Sequence, residues 1–174
     1  VDAGREQLFT LARRQFFEDG ACPDEGVSAL ILDSWQRCRE FGLDRANREA
    51  REHCERSRLA EVRERNARLV EHASGVMEHV FEQIRASGSM VLLSDPQGTI
   101  VHSLGDADFV DQANRVALQP GACWSESARG TNAIGTAIAA NAPTVVLGGE
   151  HYLDHNGFLS CTASPILDPR GALA

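Results

Sequence analysis

Residues 121–165 read GACWSESARGTNAIGTAIAANAPTVVLGGEHYLDHNGFLSCTASP. Only Glu126, Arg129, Glu150 and Asp154 are charged in this stretch. It holds a tryptophan, a run of small residues (Thr131 to Asn141) between two glycine-bearing turns, and a Glu150-His151-Tyr152 loop. So few charges in so long a segment imply a tight core or the lining of a pocket. TNAIGTAIAAN places Ala and Gly where a close neighbour needs space, and predicts a short helix. PTVVLG and CTASPIL predict strands on either side of the loop.

Composition shifts near Gly88: residues 1–88 carry 31 of the 42 charged residues and residues 89–174 the other 11. The first part reads as a solvated helical region, 1–88. The second reads as a compact unit of strands and helices, 89–174. In the first, a helix from Asp2 to Asp19 turns Leu8, Leu11, Ala12 and Phe16 to one side and stops at Gly20. A second starts at Ser28 and places Ile31, Trp35 and Cys38 at helical spacing. A third, from about Arg48 to Ser87, repeats Leu59, Val62, Asn66, Leu69, Ala73, Val76, Val80 and Ile84 at spacings of three and four. That seam predicts self-association, with Asn66 placed to fix register. From Ser89 the period becomes two: SMVLLS, a turn at Asp95-Pro96-Gln97-Gly98 and TIVHS form a hairpin. A short helix follows over Asp106–Val116, broken at Gln119-Pro120-Gly121. The turn Asp168-Pro169-Arg170-Gly171 is expected to return as a further strand, which the sequence does not contain, so the chain reads as a piece of a longer protein.

Several function classes drop out. No apolar run approaches the roughly 18 residues of a membrane span, and no basic-then-apolar leader opens the chain, so a cytoplasmic location is expected. The net charge of −8 argues against a general phosphate-binding surface. All 17 basic residues are arginine, which excludes a Schiff-base lysine. Ten of them lie between Arg37 and Arg68, but seven acids are interleaved, and a solvated face accounts for them better than nucleic-acid contact. Gly130 to Thr136 has the outline of a phosphate loop, yet no lysine follows Gly135; helix capping by Thr131 or Asn132 is the simpler reading. The odd number of cysteines, without a CxxC, reads as reduced thiols. Cys123, His151, His155 and Cys161 are near enough in sequence to converge on a metal, but their spacing fits no standard zinc pattern. Ser160, Ser164, His151 and Glu150 form no nucleophile–base–orienter set by spacing.

Ser34-Trp35-Gln36-Arg37-Cys38 followed by Gly42-Leu43-Asp44 resembles the N-terminal signature of acetoin- and glycerol-metabolism-type, sigma-54-dependent transcriptional activators. The WSE, GTNAIGTAIA, EHY and CTASPILDPRG runs resemble the GAF sensor domain of the same group. The resemblance extends from about Ser28 to Gly171. It implies an α+β fold: a GAF-like antiparallel sheet of five or six strands flanked by helices, C-terminally incomplete here, preceded by a helical region with a long dimerisation-type helix. It implies a sensor and not an enzyme, with no cofactor. The implied partners are a small oxygenated effector (a ketone, alcohol or diol), a second copy in a homodimer, and the AAA+ ATPase and helix-turn-helix domains of a full-length regulator. No direct nucleic-acid contact and no membrane are expected. The groups expected to meet the effector are Trp124, Thr131, Asn132, His151, Tyr152 and Cys161. The alternatives are a protein-docking module and a redox or metal sensor built on Cys123, Cys161 and His151.

Overall fold

The computed structural model describes residues 3–46 and 56–174. Helix α1 (Ala3–Phe17) and α2 (Ala29–Glu40) come first, then α3 (Arg56–Arg65) and α4 (Ala67–Ile84). The hairpin β1 (Met90–Ser94) and β2 (Ile100–Gly105) follows, then α5 (Ala107–Arg115), the single turn α6 (Glu126–Arg129) and α7 (Ala133–Ala140). A second antiparallel pair, β3 (Thr144–Leu147) and β4 (Ser160–Ala163), encloses the Glu150 to Tyr152 loop, which runs through short helical turns at Gly148–Glu150 and Asp154–Asn156. The α+β class expected from the sequence is the one observed. The strands form two separate ladders and not one continuous sheet.

Local chemistry explains the boundaries. Ser28 caps α2, its hydroxyl accepting from the Ile31 amide, and the Asn132 side chain caps α7 by accepting from Gly135 N–H. In the β1–β2 turn, the buried Asp95 carboxylate accepts from the amides of Gln97 and Thr99 at 3.0 and 2.8 Å. The outer edge of β2 is paired in turn: Gly121 N–H reaches Ile100 O and Trp124 N–H reaches Gly98 O, both at 2.8 Å. That pairing fixes the start of the decisive stretch.

Three apolar clusters hold these pieces together. Phe16, Ile31, Trp35 and Cys38 from the helical region meet Ala133, Val146, Tyr152 and Leu153 from the second half. Ile100, Ala113, Leu118, Trp124 and Leu159 form a second cluster under α5. Val62 and Met77 pack on Leu93 and Val101 of the β1–β2 face in a third.

Two helical expectations need correction. The inward face of α1 is rotated by one residue: Leu8 and Leu11 are exposed, while Phe9, Ala12 and Phe16 turn inward. The cause is Arg13, whose guanidinium donates to the carbonyls of Gly149 and His151 and to Asp154. It lies over the ring of Phe17 at 4.8 Å, so a charged residue takes an inward position. The long helix is interrupted at Asn66, whose side-chain amide donates back to Val62 O at 2.8 Å. Asn66 is thus bonded to its own chain. Val62 is buried against the hairpin and Ala73 is half-buried, whereas Val76, 65% exposed, points outward. The expected first turns of that helix fall at 47–55, outside the described residues.

Candidate functional site

An apolar cleft of about 760 Å³ lies between β1 and β4. Val80 and Ile84 of α4 close it on one side; Phe109 of α5, Trp124 and Ile134 of α7 close it on the other. Of the six residues expected at the site, Trp124, Asn132 and Cys161 line this cleft, and Thr131, His151 and Tyr152 do not.

The polar groups of Trp124 and Asn132 have structural roles. Trp124 is buried and its indole N–H donates to Ala117 O at 3.0 Å. Ala117 holds φ 56°, an uncommon conformation for alanine. The Asn132 amide donates to Trp124 O and Gly130 O at 3.0 and 2.8 Å while its oxygen caps α7. Burial pushes the Cys161 thiol up to about 11, so it is protonated at neutral pH. The cleft offers shape and a largely apolar surface.

The other three residues belong to the seam that joins α1 and α2 to the second half. Thr131 Oγ1 lies 2.7 Å from Ser34 Oγ and 3.6 Å from Cys38 Sγ. The Tyr152 hydroxyl donates to Leu43 O at 3.2 Å, and its ring meets Phe17 edge-on at 5.2 Å. His151 is buried, with Nδ1 2.9 Å from Gly148 O and no hydrogen-bond partner for Nε2 among the described residues. Desolvation holds its pKa below the ordinary histidine value, and the nearby Arg13 charge acts in the same direction.

The seam centres on a buried carboxylate that sequence reasoning passed over. Glu126 is 4% exposed and accepts from Ser34 Oγ at 2.5 Å and from Arg37 Nε and Nη2 at 2.7 and 2.9 Å. Ser34 Oγ also lies 3.1 Å from Thr136 Oγ1. Trp35, between them in sequence, donates its indole N–H to Glu150 O at 2.8 Å. One turn of α2, Ser34 to Cys38, therefore reads three segments of the second half: Glu126, Thr131 with Thr136, and Glu150. The available signal was that Glu126 and Arg129 are the only charged residues between Val116 and Gly149. A carboxylate in so apolar a context needs a partner. Burial also pushes the Cys38 thiol up to about 11. No group of three or more His, Cys, Asp or Glu side chains that could hold a metal ion occurs among the described residues.

The family profile described as MimR, N-terminal domain, matches residues 7–172. The chain belongs to this family. Relatives of the MimR N-terminal domain family include the acetoin dehydrogenase operon transcriptional activator AcoR of Bacillus subtilis, 29% identical over 92% of this chain and 27% of AcoR. The propane 2-monooxygenase operon transcriptional activator MimR of Mycolicibacterium smegmatis is 32% identical over 91% of the chain and 26% of its own length. The acetoin catabolism regulatory protein of Cupriavidus necator is 35% identical over 83% and 22%. The chain thus spans about a quarter of the length of the curated relatives it matches. The fold matches a chain in the crystal structure of the E. coli DhaR(N)–DhaL complex, with a TM-score of 0.79, 20% identity, and coverage of 84% of this chain and 49% of that one. That likeness establishes a GAF-like fold of antiparallel strands flanked by helices.

Proposed function

We propose that this chain is the signal-receiving region of a transcriptional activator, and that the cleft beside Trp124 takes a small oxygenated metabolite such as a ketone, alcohol or diol. The observation that carries the reading is the cleft itself: a largely apolar space reached by Trp124, Asn132 and Cys161, in a chain whose relatives are named as regulators of catabolic operons. The effector sits against the Trp124 and Phe109 side, and most of its binding energy comes from burial. Thr131, His151 and Tyr152 act one layer back, by holding that wall against α1 and α2.

Signalling in this reading is a shift between two arrangements of the helical region, driven by the effector's different affinity for each. Trp124 lies two residues from Glu126, so a displaced Trp124 loop pulls on the carboxylate that Ser34 and Arg37 hold. The outward Val76 of α4 marks the surface for a second copy in a homodimer. The output is an AAA+ ATPase with a helix-turn-helix, as in sigma-54-dependent activators. The domain division is 1–88 for helices that transmit and 89–174 for the part that senses. The setting is the bacterial cytoplasm, and no helix among the described residues is long and apolar enough to cross a membrane.

One observation favours a second reading, in which the signal is a docked protein. The polar atoms of Trp124 and Asn132 are already engaged within the chain, and a chain of the same fold occurs in the E. coli DhaR(N)–DhaL complex. Thermal unfolding against a panel of small ketones, diols and alcohols separates the two. A ligand at 100 times its Kd adds about 2.7 kcal/mol of stability. A shift with one chemical class, lost in Ile134→Trp that fills the cleft, supports the effector. A folded sample indifferent to the whole panel overturns it in favour of a protein signal.

A further inference from the structure

Asp106 lies between β2 and α5, and its polar groups bind two elements at once. Its carbonyl accepts from the amides of Phe109 and Val110, both at 3.0 Å, which starts α5. Its own N–H donates to Ser89 O at 3.1 Å. Its carboxylate accepts from three amides of the turn between α4 and β1: Ala86 at 3.1 Å, Gly88 at 2.9 Å and Ser89 at 3.3 Å. An aspartate at a helix start ordinarily spends its side chain on its own first turn. Here the side chain makes no such bond and serves the neighbouring turn instead. The Ala86 amide first, and then those of Ser89 and Gly88, hold the carboxyl below the ordinary aspartate range, and the Arg85 charge acts the same way.

The geometry of that turn explains the contact. Helix α4 ends at Ile84, and Ala86 takes φ 62°, a left-handed conformation that is costly for a residue with a Cβ. Gly88 follows at φ 69°. Amides arranged in this way form a concavity that suits an anion, and the Asp106 carboxylate fills it. The α5 side is held as closely. A Cβ added to Gly105 would lie 2.9 Å from Met90 Cβ and 3.1 Å from Val110 Cγ2, so the first turn of α5 rests directly on β1. Both sides reach the cleft: Ile84, Gly88 and Ser89 line it beside α4, and Phe109, one turn beyond Asp106, lines the opposite wall.

We infer that Asp106 is a positioning residue that ties the α5 wall of the cleft to the exit of α4, so that the two move as one. This gives occupation of the cleft a route into α4 that is separate from the Trp124–Glu126 route into α2. That use of the tie rests on the cleft being the effector site; the tie itself does not. Coupling of this kind is measured by a cycle of variants and does not follow from adjacency alone.

The test compares this chain with Phe109→Ala, Asp106→Ala and the double variant, by hydrogen exchange resolved to single amides. Asp106→Ala is expected to speed exchange at Ala86, Gly88 and Ser89 by about tenfold or more. Phe109→Ala loosens α5 from the cleft side. It is expected to speed exchange at Glu82 to Ile84 by about fivefold when Asp106 is present, and by less than about twofold in Asp106→Ala. An Asp106 that only stabilises its own turn would leave the fivefold effect unchanged. Val91, within the β1–β2 ladder, reports that the fold is intact. If Asp106→Ala weakens protection at Val91, Asp106→Asn, which keeps one acceptor oxygen, carries the same cycle. Continued protection of Ala86, Gly88 and Ser89 without the carboxylate, no response of Glu82 to Ile84 to Phe109→Ala, or an equal response with and without Asp106 each overturns the proposal. No effector is added, so this cycle and the effector panel fail separately.

Discussion

Glu126 receives both Arg37 Nε, at 2.7 Å, and Arg37 Nη2, at 2.9 Å, across 89 positions of sequence, and its carboxylate is buried while the guanidinium reaches the surface. A two-pronged arginine–carboxylate contact fixes orientation as well as distance. It registers α2 on the turn that follows Trp124. Removing one partner leaves the other uncompensated. Arg37→Ala is expected to cost about 2–4 kcal/mol, below the fully buried limit because Arg37 is partly solvated. Glu126→Gln and Arg37→Ala combined are expected to cost clearly less than the sum of the two, as read from urea midpoints in a double-mutant cycle. Simple additivity would mean the pair is not coupled.

Trp124 combines bulk with one hydrogen bond, and two variants separate them. Trp124→Phe keeps most of the ring and loses the bond to Ala117 O, at about 1 kcal/mol. Trp124→Ala also opens a void between α5 and α7 and is expected to cost about 3–5 kcal/mol. If both variants unfold at the same urea concentration, Trp124 does not pack as described.

Gly135 sits where α7 crosses the Trp124 turn: an added Cβ would lie 2.7 Å from Trp124 O and 2.6 Å from Glu126 N, both backbone atoms. At Gly130, with φ 66°, it would meet Tyr152 Cβ at 2.5 Å. Gly135→Ala and Gly130→Ala are each expected to cost about 1–3 kcal/mol or more. Gly42→Ala is the control, since it has the positive φ of Gly130 but open space around it. Calorimetry showing Gly135→Ala as mild as Gly42→Ala would overturn the close approach.

The buried His151 makes stability depend on pH. Its folded pKa lies below the ordinary value of 6.5, chiefly through desolvation, so between the two values the unfolded chain binds more protons than the folded one. This contribution is complete above pH 6.5 and is lost as pH falls through the lowered pKa. Unfolding free energy measured from pH 7.5 down to 5 should decline, and His151→Gln should flatten the decline. An unchanged slope in His151→Gln would assign the effect to other groups.

Thiol reactivity tests the burial of Cys38. Cys22 is exposed, whereas desolvation raises Cys38 and Cys161 to about 11. At pH 8, peptide-level labelling should modify Cys22 at least tenfold faster than Cys38. Comparable rates would show that α2 opens from the second half on the labelling timescale.

Periodicity and turn chemistry made most elements legible. The alternating SMVLLS and TIVHS around Asp95–Gly98, the small-residue helix after Asn132 and the Asp168–Gly171 turn stand where local rules put them. Those rules act within a few residues, so one sequence window contains them. Arg13 shows where they stop. Its inward position depends on the carbonyls of Gly149 and His151, more than 130 residues away, and no helical wheel of α1 includes them. Asn66 shows the same limit: a seam position by spacing, it bonds Val62 O and breaks the helix.

The sequence by itself determined the class of fold, the family and the location of the wall around Trp124, because burial pattern and turn residues are local properties. Only the tertiary structure decided how the six expected site residues divide. Trp124, Asn132 and Cys161 meet at the cleft, whereas Thr131, His151 and Tyr152 meet the N-terminal helices. Both sets lie in one apolar stretch with the same local character. They differ only in which distant surface covers them, and that surface is chosen by the Ser34–Arg37–Glu126 contact and the packing of Phe16 and Trp35, which exist only once the chain has folded.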